Sequence, residues 1–163
     1  MTVEEYARLP RGERLARLAR TPGELAAAIA GRSDDALSRR PDSTDWAATE
    51  VLCHLRDNEE SFLDRLRMMV AMDEPRFPRS NPDRWAEERQ YLRNDATEAL
   101  HAFGRRRGET IALLASLGPG EWDRAGVHLD SRGRRTVDQV VSVMAWHDDN
   151  HLDQLRRALT GRP

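Results

Sequence analysis

Four long stretches of the chain repeat apolar residues at intervals of three and four, and proline or glycine closes each of them. That interval is the pitch of an α-helix, whereas a half-buried strand would alternate every second residue. In the first stretch Leu15, Leu18, Leu25 and Ile29 share a face and Gly31 ends it. The order Thr21-Pro22-Gly23-Glu24 reads as a helix start within that stretch, with Thr21 as N-cap and Pro22 in the first turn. This predicts one kinked helix or two. The second stretch begins near Trp46 and runs to about Met72, burying Val51, Leu55, Phe62, Leu66 and Met69. Three prolines between Asp73 and Pro82 stop it. The third starts at Asn81-Pro82 and continues to about Leu117, with Trp85, Leu92, Ala96, Phe103, Leu114 and Leu117 inward. Glu121 to Arg135 lack a helical period and read as an irregular loop, with room for a short hairpin, that would cover a pocket. The capping box Thr136-x-x-Gln139 opens the last helix, which runs to about Leu159. The expected fold is a single all-α domain, an antiparallel four-helix bundle with an irregular loop before its last helix.

Composition narrows the function classes. The 26 basic residues, all arginine, nearly balance 28 acidic ones, giving a net charge of −2. That balance suits solvated helix faces and gives no reason to expect nucleic acid as a partner. Arg105, Arg106 and Arg107, like the pair Arg134 and Arg135, read as a solvated face or an anion-lined pocket mouth. Cys53 is the single cysteine, which rules out an intrachain disulfide and a thiolate cluster. No apolar run approaches the roughly 20 residues of a membrane span, and Met1 to Pro10 lack the apolar core of a leader. The expected setting is cytoplasmic, away from membranes, with a small-molecule substrate.

Histidine placement carries the chemistry. His147 and His151, four apart, lie about 40° apart around a helix and about 6 Å apart along it, close enough to share one metal ion. They fall on the stripe Val140, Met144, His147, His151 and Leu155, so both rings should face the bundle interior. His54 lies at the edge of the apolar stripe on the second helix. Three inward imidazoles from two helices can hold one divalent ion and leave positions open for water or substrate. Each taken singly is better explained by a core histidine with one hydrogen bond. Together, their unpartnered burial would cost a few kcal/mol, which a metal ion offsets. Asn58, one turn after His54, is placed to orient a ligand at that ion or to be a satisfied core amide. His128 is a pocket group or an exposed loop residue, and His101 is a surface residue. Cys53 points about 100° away from its neighbour His54 and reads as core filler.

Four stretches, Leu25 to Pro41, Trp46 to Glu59, Trp122-x-Arg124-x-Gly126-x-His128 and Met144 to Gln154, occur in the order found in a known family. On these the chain resembles the DinB/YfiT-like metal-binding family over nearly its whole length. The resemblance implies a four-helix bundle, often a homodimer, whose histidines at the positions of His54, His147 and His151 bind zinc, nickel or a related ion. Ala47 departs from the pattern, since relatives often have a capping Ser or Thr there, paired with the glutamate matching Glu50. Losing that cap should cost about 1 kcal/mol. The family includes thiol-dependent transferases and isomerases as well as predicted hydrolases, and fold does not fix the reaction. The leading expectation is an ion that lowers the pKa of a low-molecular-weight thiol cosubstrate and presents the thiolate to a small electrophile. Asn58 and His128 would then be the catalytic partners, and Arg89 and Arg124 would hold an acidic group of the thiol or substrate. The alternatives are a metal-dependent hydrolase of a small amide or ester, and a non-catalytic stress-response protein that the metal merely stabilises. Asp148 after His147 is too short to imitate the glutamate of His-Glu-x-x-His proteases, and neither His147 nor His151 has the glutamate three residues before it that a di-iron bundle needs.

Overall fold

A computed structural model describes residues 1–130 and 132–162. A short helix α1 (Val3–Arg8) precedes α2 (Arg11–Ile29) and the single turn α3 (Asp34–Leu37). The long helix α4 (Ala48–Ala71) leads to strand β1 (Arg76–Phe77) and the short α5 (Trp85–Glu88). Then come α6 (Ala96–Ser116), the hairpin β2 (Ala125–His128) and β3 (Arg134–Thr136), and finally α7 (Val137–Leu159). The four long helices α2, α4, α6 and α7 form the expected bundle. None of the helices among the described residues is long and apolar enough to cross a membrane.

Two apolar clusters fix how the helices run. One gathers Leu25 and Ile29 of α2, Val51 to Leu55 of α4, Ala96 to Phe103 of α6 and Leu152 and Leu155 of α7. The other gathers Leu18, Leu66 and Met69, Leu114, and Val137 to Ala145 from the same four helices. The early halves of α4 and α6 therefore share one end of the bundle with the late halves of α2 and α7. It follows that α4 and α6 run parallel to each other and antiparallel to α2 and α7. In packing, α4 touches α6 and α7, and α2 touches the same two, so chain-consecutive α2 and α4 lie across a diagonal, as do α6 and α7.

Parallel α4 and α6 require the chain to return along the bundle, and this return replaces the single helix expected from Pro82 to Leu117. Pro82–Arg84 and Tyr91–Arg93 form 3-10 turns on either side of α5. Gln90 adopts a left-handed conformation with φ of 49°, which breaks the helix before Tyr91. The break turns Tyr91 fully inward in place of Leu92, which is exposed. The Tyr91 hydroxyl donates to Asp57 at 2.8 Å. Asp95 restarts the helix by accepting from the Glu98 amide at 2.8 Å. At the head of α4 half of a capping box survives without a Ser or Thr: the Ala47 amide donates to Glu50 at 2.9 Å.

Between the two apolar clusters lies a buried polar layer centred on Arg107, only 3% exposed. Its guanidinium pairs with Glu59 of α4 at 2.7 Å and with Asp148 of α7. Thr110 donates to the other Glu59 oxygen at 2.6 Å, and Thr21 donates to Asp148. The Arg107 side chain also donates to the backbone carbonyl of Leu18 at 2.9 Å. That carbonyl is the one that Pro22, four residues on and lacking an N–H, cannot bond. Helix α2 consequently continues unbroken through Thr21 and Pro22, so Thr21 is not the N-cap the sequence suggested. A proline inside a helix costs about 3 kcal/mol, and a hydrogen bond from a charged donor offsets about half of that or more. Arg107 is thus not part of a solvated arginine face. Arg105 and Arg106 keep the more exposed positions.

Two stability changes follow. Arg107→Leu leaves two buried carboxylates without their cation and should lower the unfolding free energy by about 3–5 kcal/mol in urea titrations. Gly126 on β2 has no room for a side chain, since an added Cβ would lie 2.4 Å from Phe77 Cε2 and 3.1 Å from Met69 Cγ. Gly126→Ala should therefore cost about 1–3 kcal/mol in the same titration.

Candidate metal centre

At the level of the polar layer, α4 and α7 face each other through His54, His147 and His151. His54 is buried; His147 and His151 are half-buried at the wall of a cleft. The Nε2 atoms of His54 and His147 stand 3.3 Å apart. Two nitrogens bound at about 2.0–2.1 Å to a tetrahedral zinc ion are about 3.3–3.4 Å apart, so this pair already has the separation of two ligands. One ligand nitrogen from each of the three rings lies within 4.8 Å of the other two.

The protonation states also suit metal binding. Burial, reinforced by the neighbouring His151, pushes His54 down to about 3. His147 is pushed well below the ordinary imidazole range by burial and by the other two rings, with Arg107 adding to the effect. Both rings are therefore neutral and carry a lone pair at physiological pH. His151 Nδ1–H donates to Gln154 at 2.8 Å, which makes Nε2 the lone-pair nitrogen of that ring. Trp46 packs on His54 with ring centroids 4.9 Å apart, and Phe62 meets His147 edge-on at 5.9 Å. Asn58 Nδ2 donates to the His54 carbonyl at 3.0 Å and lies 3.1 Å from His54 Nε2. One turn of helix thus brings Asn58 against the first imidazole.

The three rings open onto a cleft of about 280 Å³. Asn58 and His128 line it, as expected of pocket residues, but they stand in different company. His128 is 7% exposed, sits on β2 against Phe77, and is driven down to about 4 by burial and by Arg65 and Arg132. Arg89 and Arg124 are outside the cleft. Arg89 bonds Asp57 at 2.6 Å and stacks on Trp85, while Arg124 donates to the Met69 carbonyl at 2.7 Å and to that of Met72, capping the end of α4. The arginines that do line the cleft are Arg65, Arg132 and Arg135; of these only Arg135 stands out in the sequence, as half of a pair at a solvated face or an anion-lined pocket mouth. Cys53 is core filler, fully buried beneath the Tyr91 carbonyl with its thiol pushed up to about 11. His101 is exposed.

Comparison with known proteins agrees with this architecture. Two curated relatives, YfiT of Bacillus subtilis and a protein of Oceanobacillus iheyensis, are both provisionally named metal-dependent hydrolases. Each is 22% identical over 83% of this chain, covering 76% and 78% of the respective relative. The solved structure of Bacillus subtilis YfiT superposes with a TM-score of 0.85 at 19% identity, covering 95% of this chain and 91% of that one. It is described as having an unusual four-helix bundle topology. The family model described as DinB superfamily matches residues 17–155. The chain belongs to the DinB superfamily.

Proposed function

We propose that this chain is a metal-dependent enzyme of hydrolase type, acting on a small amide or ester. His54, His147 and His151 hold one divalent ion of the zinc or nickel kind, both of which imidazole nitrogens suit. The observation that carries the reading is the 3.3 Å separation of the His54 and His147 nitrogens, the spacing of two ligands on one ion. Support also comes from the provisional names of the two relatives.

A bound ion supplies Lewis acidity beside the open cleft. The protein's own groups do the rest. Trp46 and Phe62 keep water from the faces of the imidazoles, and Gln154 holds His151 in one tautomer. Asn58 offers an amide N–H within reach of the centre, where it would orient the substrate carbonyl for attack by water and cleavage of the acyl bond. His128 belongs with the arginines and serves binding in place of proton transfer.

A second reading is thiol transfer to an electrophile, and one observation favours it: among the described residues no carboxylate lines the cleft. Water attack calls for a general base, whereas a thiol needs only a lowered pKa to become a nucleophile.

Protein purified without a histidine tag should carry about one divalent ion per chain by elemental analysis, and His147→Ala should lose most of it. Metal content unchanged in that variant would refute the centre. The loaded protein should turn over short esters or amides without added thiol. Turnover that appears only with a low-molecular-weight thiol would replace hydrolysis by the transferase reading.

A further inference from the structure

The cleft continues well past the three imidazoles. His54 and Arg65 are eleven residues apart on α4, which places them about 20° apart around the helix and about 16 Å apart along it. The opposite wall, from His151 back to Val140 on α7, spans the same eleven residues. Beyond Asn58 the lining between the two ends is apolar, with Phe62, Val143 and Trp146, and Met69 and Val140 continue it at the arginine end. Imidazoles therefore mark one end of an elongated slot, and arginines mark the other.

The arginine end is short of counter-charge. Arg65 makes no ion pair among the described residues, and its polar contact is a 3.1 Å hydrogen bond to Ser80. Half-buried Arg135 likewise has no carboxylate partner among them. Arg132 is paired with Asp130 and also reaches Ser80 at 3.3 Å. Glu74 nearby is taken up by Arg134. His128 lines this end too, with its buried Nδ1 lacking a hydrogen-bond partner among the described residues. Guanidinium groups gathered at a partly desolvated wall repel one another, and burial together with Arg132 lowers the pKa of Arg65. Such an arrangement is stabilised by an anion that accepts from the guanidinium forks.

We infer that Arg65 and Arg135, with Arg132 and His128 beside them, form an anion-binding subsite for a carboxylate or phosphate on the far end of an elongated substrate. That substrate carries an apolar middle of roughly 10 Å, the helix distance less the reach of the side chains, and its reacting group lies at the imidazoles. The anion subsite stands on its own residues; the placement of the reacting group rests on the metal-dependent reading above.

Calorimetric titration of the full chain with inorganic phosphate and, separately, with hexanoate tests the subsite and tells the two anions apart. At least one should bind saturably and more weakly as salt rises. Arg65→Gln and Arg135→Gln should each weaken that binding at least tenfold while keeping the melting temperature and one metal ion per chain. His147→Ala should lose the metal and keep the anion, so failure of the metal reading and failure of the subsite give different results. No saturable binding of either anion, or affinities unchanged in both arginine variants, would overturn the subsite. In zinc-loaded protein 6-mercaptohexanoate, which offers a thiol at one end and a carboxylate at the other, should bind at least tenfold more tightly than hexanoate. Equal affinities would overturn the claim that a single molecule spans both ends.

Discussion

Arg107 brings a full positive charge to the middle of the bundle, where an unpaired ion would cost several kcal/mol, and the four helices are arranged so that it is not left unpaired. Glu59 answers from α4 and Asp148 from α7, Arg107 itself comes from α6, and the Leu18 carbonyl on α2 takes a remaining N–H. Sliding any one helix by a turn, about 5.4 Å, would break at least one of these bonds. Apolar contacts above and below could tolerate such a slip more readily, because dispersion and burial are not directional. The register of the bundle is therefore held by its polar layer more than by its oil.

That register sets up the histidine centre. Asp148 follows His147 directly, so the bond that anchors Asp148 to Arg107 also fixes where His147 presents its ring. His54 is five residues before Glu59 on α4, whose own anchor is the same guanidinium. Two of the three imidazoles are thus placed by one arginine acting from behind them. The 3.3 Å approach of their nitrogens is what results when both neighbouring helices are pinned to a common point. Imidazoles held this way would need little rearrangement to accept a divalent ion, which would favour affinity.

Periodicity made the helices and the triad legible in the sequence. Residues 147 and 151 share a face on any helix, and the stripe that includes Met144 and Leu155 shows which face is inward. Burial of an arginine was not legible in the same way. Arg105, Arg106 and Arg107 look alike as letters, and only partners on three other helices single out the last. The break at Gln90 was missed because Trp85, Leu92 and Ala96 fit a continuous helical stripe, although Asp95 and Glu98 carried a capping signal three residues apart. Charge makes Arg89 and Arg124 look like anion binders in the sequence, but local geometry claims both: one for Asp57 and Trp85, the other for the carbonyls ending α4. Arg65 was within reach of simple arithmetic, since eleven residues make almost three whole turns from His54.

The diagonal connections have a consequence for how the chain reaches this state. In a bundle whose consecutive helices are neighbours, each hairpin can form early from contacts close in sequence. Here α2 packs chiefly on α6 and α7, and α7 closes against partners that left the ribosome long before it. The parallel pairing of β1 with β2 joins Arg76 to Val127, again across a long loop. Most of the entropy of loop closure must then be spent before any helix is buried on both sides. Acquisition of structure should be slower and more concerted than helical content alone suggests, with the C-terminal helix as the piece that locks the others.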